Sequence, residues 1–360
     1  MTQIFFAGGG TAGHIEPALA VAREWRSQHP DSQITFIGTR EGLEARLVPA
    51  AGFEIRYITK VRIARTLSPS LLAAPFSFMR SLLQSLSLMR HCDLLVGFGG
   101  YVSGPAYVAA AITRTPIVIH EANARPGLAN RLGSLFTAHT AIAHSLDSGR
   151  LAGSLLAGLP LREDVVSAYR SAAHDWQKAR TDAKRELGFA EDKPLIFAFG
   201  GSQGSVSLNH VIAQSRELLA AQDIQILHGI GANNEAPSDS AGYQARGYIT
   251  DMATAYLAAD VIISRSGAVT CAEVNTLGRY ALFIPLPIGN GEQALNARDL
   301  VMQSRAEIIA QDQFTSSWLT SNISRLLKQS QQSAIAGSDI DINAASKMVS
   351  LMEHALHGGT

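Results

Sequence analysis

The sequence predicts an α/β protein made of two doubly wound, Rossmann-like domains that face one another. Three observations carry this reading. Short apolar runs alternate with longer helical stretches along the chain. The alternation completes once and begins again near the middle. Four of the runs end in loops rich in glycine or small residues. Strands that alternate with helices form parallel sheets, because each helical crossover covers a sheet face. Two such series in 360 residues need two domains rather than one enlarged core.

In the first half, strands are expected at Ile4–Ala7, Gln33–Ile37, Asp93–Val96, Ile117–His120 and Ala138–Ala143. Helical periodicity fills the gaps, as in Ala18–Gln28. The second half repeats the pattern at Leu195–Phe199, Ile224–Gly229, Val261–Ser264 and Ala281–Ile284. The boundary falls near Gly158-Leu159-Pro160, giving a first domain over 1–160 and a second over 161–343. A polar stretch from Lys328 to Asn343 precedes a last helix at about 344–357, which is long enough to fold back on the first domain.

Bulk composition removes several classes. An apolar share of 46% beside 17% charged residues suits two ordinary cores. Thirty basic and thirty acidic side chains cancel, which argues against broad nucleic-acid binding. Cys92 and Cys271 form no CxxC pair and read as reduced thiols of a cytosolic protein. Met1-Thr2-Gln3 runs straight into the first strand, without a signal-peptide pattern. No stretch of about 18 uninterrupted apolar residues predicts a membrane span.

The four loops are Gly8–His14, Gly97–Pro105, Gly200–Gly204 and Ser264–Ala268. Glycine brings backbone N–H groups close to a ligand, and the following helix points its positive end at bound phosphate. Such loops lie at the carboxyl ends of strands, where open α/β sheets bind ligands. Gly8-x-Gly10-x-x-Gly13 also fits a dinucleotide fingerprint. That fingerprint requires an acid at the end of the second strand, where Gly38 stands and Glu41 comes late. A diphosphate of another kind fits the loop as well.

The motifs together resemble the MurG family of glycosyltransferases. The resemblance rests on Gly9 to Ala18, Gly99 to Pro105, His120-Glu121-Ala122-Asn123 with Pro126-Gly127 and Asn130-Arg131, Gly200 to Gly204, Ser264 to Glu273, and Gly291-Glu292-Gln293 with Asn296-Ala297. It implies a GT-B architecture and inverting transfer of N-acetylglucosamine from its UDP-sugar to the 4-hydroxyl of the muramyl residue of lipid I, giving lipid II. Ala12, Ala122 and Glu292 depart from common family residues and bear on sugar contacts.

Carried over residue by residue, the resemblance implies that Glu273 binds the donor ribose. Its competing reading is a solvated helix-face charge. It implies further donor contacts at Thr11, Gly13, Ser202, Gln203, Ile249, Ala268 and Gln293. Arg162 is expected near the diphosphate, or else as a plain surface charge. Gly10, Tyr101, Ser103, Glu121 and Asn130 are expected on the acceptor side. His14 and Asn123 are the candidate catalytic residues. An imidazole with an ordinary pKa of about 6.5 suits a general base, but His14 equally suits a hydrogen bond to lipid phosphate. No cofactor and no metal are expected; the one DxD pair, Asp339-Ile340-Asp341, reads as solvated loop.

The stretch from Ser68 to Arg90 carries Leu71, Leu72, Phe76, Phe78, Met79 and Leu83 among arginines that include Arg80, and no acid occurs from Lys60 to Cys92. It reads either as a patch for anionic lipid or as a buried amphipathic helix, and the family resemblance favours the lipid. The expected partners are UDP-N-acetylglucosamine, lipid I, anionic lipid and other cell-wall synthesis proteins, at the cytoplasmic face of the membrane. Rival readings are a UDP-sugar 2-epimerase, whose motifs the chain lacks, a nicotinamide dehydrogenase, and a non-catalytic nucleotide binder.

Overall fold

The computed structural model of the protein describes residues 1–61, 70–287 and 291–358, with the side chains of residues 70–73 outside the description. The chain divides into two compact units. The first comprises Met1–Arg162 with Asp341–Thr360, and the second Glu163–Ile340.

The first unit runs β1 (Gln3–Gly8), α1 (Ala12–Gln28), β2 (Gln33–Gly38), α2 (Glu44–Ala50), β3 (Glu54–Tyr57), α3 (Ser70–Met89), β4 (Leu94–Gly99), α4 (Ser103–Thr113), β5 (Ile117–Glu121), α5 (Leu128–Gly133), β6 (Thr140–Ile142) and β7 (Leu155–Leu156). The second runs α6 (Glu163–Ala172), α7 (Trp176–Glu186), β8 (Leu195–Phe199), α8 (Val206–Ala220), β9 (Gln225–Gly229), β10 (Tyr243–Arg246), α9 (Met252–Ala258), β11 (Val261–Ser264), α10 (Ala268–Thr276), β12 (Ala281–Phe283), α11 (Glu292–Asn296), α12 (Arg298–Met302), β13 (Ala306–Ile308) and α13 (Ser316–Gln332). Helix α14 (Ala344–His357) returns to the first unit.

Both sheets are wholly parallel in their paired strands. The orders are β3-β2-β1-β4-β5-β6-β7 and β10-β9-β8-β11-β12-β13. Each sheet grows outward from its first strand in both directions, the doubly wound arrangement whose reversal point gathers loops at the carboxyl edge. The nine strands legible in the sequence are in place, with ends shifted by a few residues.

Helix α1 shows why the sequence folds this way. Ile15, Ala18, Leu19, Ala22 and Trp25 recur at three- and four-residue spacing and bury one stripe against Phe6, Phe36 and Phe98 of the sheet. Met348, Val349, Met352 and Ala355 of α14 join the same cluster. On the opposite sheet face, Leu82 and Met89 of α3 pack with Ala106, Tyr107 and Ala110 of α4. Phe78 is packed against that cluster, which corrects its assignment to a lipid-facing patch. Phe76, Met79 and Leu83 point out, at 79%, 54% and 61% exposure, and Arg80 is exposed beside them. The side chains of Leu71 and Leu72 lie outside the described residues.

Asp341 is not solvated loop. It is buried, and its Oδ1 accepts the Leu159 N–H at 2.7 Å. The bond ties together the two places where the chain passes between units. Burial pushes the Asp341 carboxyl up to about 6, against the Leu159 N–H and the Lys347 charge. A raised acid favours the folded state most when protonated. Its stability contribution is therefore full below about pH 4 and is lost as pH rises through 6, a change of about 3 kcal/mol. Asp341→Asn keeps an acceptor without the charge. Thermal melts should show the variant gaining on the parent between pH 4 and 6, with a constant lead above; parallel melting curves across that range would contradict this.

Candidate functional site

In the first unit, two glycine loops end the paired strands β1 and β4 and lie side by side at the sheet's carboxyl edge. Thr11 is the N-cap of α1 but makes no side-chain capping bond. Its Oγ1 instead lies 3.3 Å from His14 Nδ1. His14, in the first turn of α1 and partly exposed, also places Nδ1 3.2 Å from the Gly9 carbonyl oxygen. A carbonyl only accepts, so this contact assigns the proton to Nδ1 and leaves the lone pair on Nε2. Gly99, at φ +91°, would put a Cβ 3.4 Å from that Nε2, so glycine keeps the atom clear. Burial lowers the His14 pKa, against the upward pull of Glu121, the Gly9 carbonyl and Glu44. The ring is thus neutral near pH 7 and able to take a proton.

A residue unremarked in the sequence organises these loops. Glu44, the first residue of α2, is fully buried. Its Oε2 accepts the Gly10 N–H at 3.0 Å. Its Oε1 accepts the Thr39 N–H and Thr39 hydroxyl at 3.0 Å and the Tyr101 hydroxyl at 3.1 Å. Burial and the adjacent carboxylate push the Tyr101 phenol up to about 12, so it remains a donor. Glu44 is thereby committed to the loops; the acid nearer β2, Glu41, is exposed and follows the strand end at Gly38 by three residues.

Three residues expected on the acceptor side are buried and hydrogen-bonded within the unit. Ser103 is buried, with its hydroxyl 2.9 Å from Ala7 O and 2.8 Å from Gly99 O, so it secures strand ends. Asn130 is buried, accepting from the Tyr107 hydroxyl at 2.8 Å and donating to His120 O and Glu121 Oε2 at 3.0 Å. Glu121, 2% exposed, accepts the Gly127 N–H at 2.9 Å and both the backbone and side-chain amides of Asn123, at 2.9 and 3.1 Å. It shapes the loop that carries Asn123 and lends its charge to His14. Gly10, at φ +95°, lies against Tyr101: a Cβ there would approach the ring to 2.8 Å.

In the second unit, the loops after β8 and β11 are neighbours because those strands pair. Gly200 and Gly204 are fixed by packing, since a Cβ would fall 2.2 Å from Ser205 N and 2.1 Å from Ile230 O. Gly201 and Gly267 have nothing within 4 Å, so a ligand can approach the backbone there. Ser202 is half-buried and Gln203 exposed between them. Ala268 begins α10, whose N-cap Gly267 offers no side-chain acceptor to the first-turn N–H groups. Glu273, on the same helix, is 2% exposed, which overturns its reading as a solvated charge. Ile249 meets the end of β9, its Cγ1 3.3 Å from where a Gly229 Cβ would lie. Gln293 accepts the Leu286 N–H at 2.9 Å. Arg162 is partly exposed at the last residue before α6.

The glycosyltransferase family 28 N-terminal domain matches residues 4–142, and the family's C-terminal domain matches residues 195–354. The chain belongs to glycosyltransferase family 28. A UDP-N-acetylglucosamine–N-acetylmuramyl-(pentapeptide) pyrophosphoryl-undecaprenol N-acetylglucosamine transferase of Frankia casuarinae is 42% identical over 332 residues, 89% of this chain and 86% of the relative. The crystal structure of Acinetobacter baumannii MurG superposes with a TM-score of 0.70 at 28% identity, covering 98% of this chain and 99% of that one. A UDP-GlcNAc 2-epimerase of Neisseria meningitidis, at 13% identity and a TM-score of 0.60 over 98% and 100% of the chains, shares the fold alone.

Within this family 28 chain, a second residue missed in the sequence is Arg265. It is buried, donating to Ile284 O at 2.9 Å, Gln311 Oε1 at 2.6 Å and Ser205 Oγ at 2.9 Å. Among the described residues it has no carboxylate partner, so a cation sits behind the N-terminus of α8 and beside the Gly200–Gly204 loop. Its place between two small-residue motif positions, Ser264 and Ser266, was the available signal. Among the described residues, no group of three or more His, Cys, Asp or Glu is placed to hold a metal.

Proposed function

We propose that the protein transfers N-acetylglucosamine from UDP-N-acetylglucosamine to the 4-hydroxyl of the N-acetylmuramyl residue of lipid I, with inversion, to form lipid II. The observation that carries the reading is the match of both family 28 domains along the chain, with relatives bearing that transferase name matched over 86% and 80% of their own length. The second unit holds the donor. The buried carboxylate of Glu273 accepts from the ribose hydroxyls, and the uracil lies at Ile249. The open backbone at Gly201 and Gly267, with Ser202, Gln203 and Ala268, receives the diphosphate. The sugar reaches Gln293. Arg162 and the positive helix ends, backed by buried Arg265, stabilise the leaving charge.

The first unit holds the acceptor, against Gly10, Tyr101 and Asn123, while Thr11 and Gly13 are kept for the donor. His14 Nε2 takes the proton of the 4-hydroxyl as that oxygen bonds to the anomeric carbon. The bond from that carbon to the β-phosphate oxygen breaks, and UDP leaves with the electron pair. An imidazole held neutral by burial, with its other nitrogen fixed on Gly9 O, suits this proton transfer.

No helix among the described residues is long and apolar enough to cross a membrane, yet the acceptor is lipid-linked. The exposed Phe76, Met79 and Leu83, with Arg80 beside them, suit shallow insertion at an anionic surface, on the cytoplasmic side where nucleotide sugars are available. Phe76→Ser with Met79→Ser should lower sedimentation with vesicles rich in anionic lipid several-fold while leaving UDP affinity unchanged. Equal sedimentation would remove the patch. The transfer itself is tested by mixing purified protein, radiolabelled UDP-N-acetylglucosamine and a short-chain lipid I analogue in EDTA. Labelled lipid II analogue is expected; absence of UDP binding in a folded sample would overturn the reading.

A further inference from the structure

We propose that Glu44 is the positioning residue of the acceptor site: its buried carboxylate fixes both glycine loops of the first unit and, through them, His14 and Tyr101. The proposal rests on the reading of His14 as general base.

A carboxylate at 0% exposure is costly unless donors surround it. Glu44 has four, at 3.0 to 3.1 Å, from three separate segments: Gly10 of the first loop, Thr39 beyond β2 and Tyr101 of the second loop. Among the described residues no ion pair supplies the compensation. Three glycines clear the space. A Cβ at Gly42 would lie 2.1 Å from both carboxylate oxygens, one at Gly38 would lie 2.6 Å from Glu44 Cγ, and one at Gly9 would lie 3.0 Å from Oε1. A chain that keeps three glycines around one buried acid has built a site for that acid.

The geometry then runs outward. The Gly10 N–H is drawn onto Glu44, and Gly10 takes φ +95°. The preceding carbonyl, Gly9 O, meets His14 Nδ1 at 3.2 Å. Gly100, at φ +82°, closes the second loop onto the same carbonyl, where a Cβ would fall 2.3 Å from Gly9 O. The two loops therefore have one mutual register, with Glu44 as their shared acceptor. Charged and titratable groups around His14 are Glu121 from β5 and Glu44 from α2, with Tyr101 beside Glu44 and Lys60 5.1 Å over the Tyr101 ring.

Glu44→Gln preserves shape but turns an amide donor toward a ring of donors, so at least one bond is lost, along with a charge that raises the His14 pKa. The expected result is kcat/KM for the lipid I analogue lowered roughly 10- to 100-fold, UDP affinity within twofold of the parent, and the acid limb of the pH profile moved to lower pH. Glu44→Asp should recover the limb but not the full KM. Profiles are recorded in parallel for His14→Ala. A limb lost in His14→Ala yet unmoved in Glu44→Gln overturns the Glu44 proposal and keeps the base. A limb that persists in His14→Ala overturns the base assignment instead. Should Glu44→Gln not fold, Thr39→Val removes one buried donor and retains the charge. It should raise acceptor KM several-fold with unchanged UDP affinity, and an unchanged acceptor KM would also overturn the proposal.

Discussion

His14→Ala is expected to lower kcat about 10²- to 10⁴-fold, the range for losing a positioned general base, while UDP affinity stays within twofold. The sign follows from two geometric facts. Nδ1 is held on Gly9 O, so Nε2 is the basic atom, and glycine at position 99 leaves Nε2 clear. The same facts fix the pH dependence. Burial lowers the His14 pKa, so the acid limb of kcat/KM should lie below 6.5 and vanish in the variant. Single-turnover transfer, compared with UDP titration, separates the outcomes. A variant that loses UDP binding and transfer together would assign His14 to the phosphates. A variant with parental kcat would remove it from the chemistry.

The second large effect is expected at Glu273. A buried carboxylate that accepts from two ribose hydroxyls makes charge-assisted bonds, each worth about 1.5–3 kcal/mol. Glu273→Gln should weaken UDP binding about 10- to 100-fold, measured by calorimetry, and should weaken uridine similarly, because the loss is at the ribose. The proposed phosphate contacts are at other residues, so on this assignment the ratio of UDP to uridine affinity should hold. Unchanged UDP affinity would end the ribose assignment. Because Glu273 is 2% exposed, a thermal melt of the variant distinguishes lost contact from lost fold.

What the sequence displayed, and what it concealed, divides along physical lines. Every central strand was legible because it is apolar on both faces, as parallel sheets demand. The four strands not anticipated, β3, β7, β10 and β13, are the four sheet edges. Glu54–Tyr57 alternates charge and Leu155–Leu156 is exposed, so neither gives a continuous apolar signal. Glycine loops were legible because backbone turns require the residue itself. The direction in which a polar side chain points was not legible. Ser103, Asn130 and Glu121 stand in the loop motifs but face inward. Glu44 stands outside the motifs and holds them. The trace it leaves in the sequence is the small-residue spacing Gly38 and Gly42 just before an acid.

The Leu159–Asp341 bond has a consequence for how such a chain can be taken apart. It places the departure and return of residues 163–340 side by side. The second unit is thus an uninterrupted cassette inserted into a host formed from two separate stretches of sequence. Insertions with adjacent ends exchange readily between proteins. A different module, grafted between Arg162 and Asp341, would leave the β1 and β4 loops, the core of α1 and α14, and the Glu44 contacts in a single undivided host.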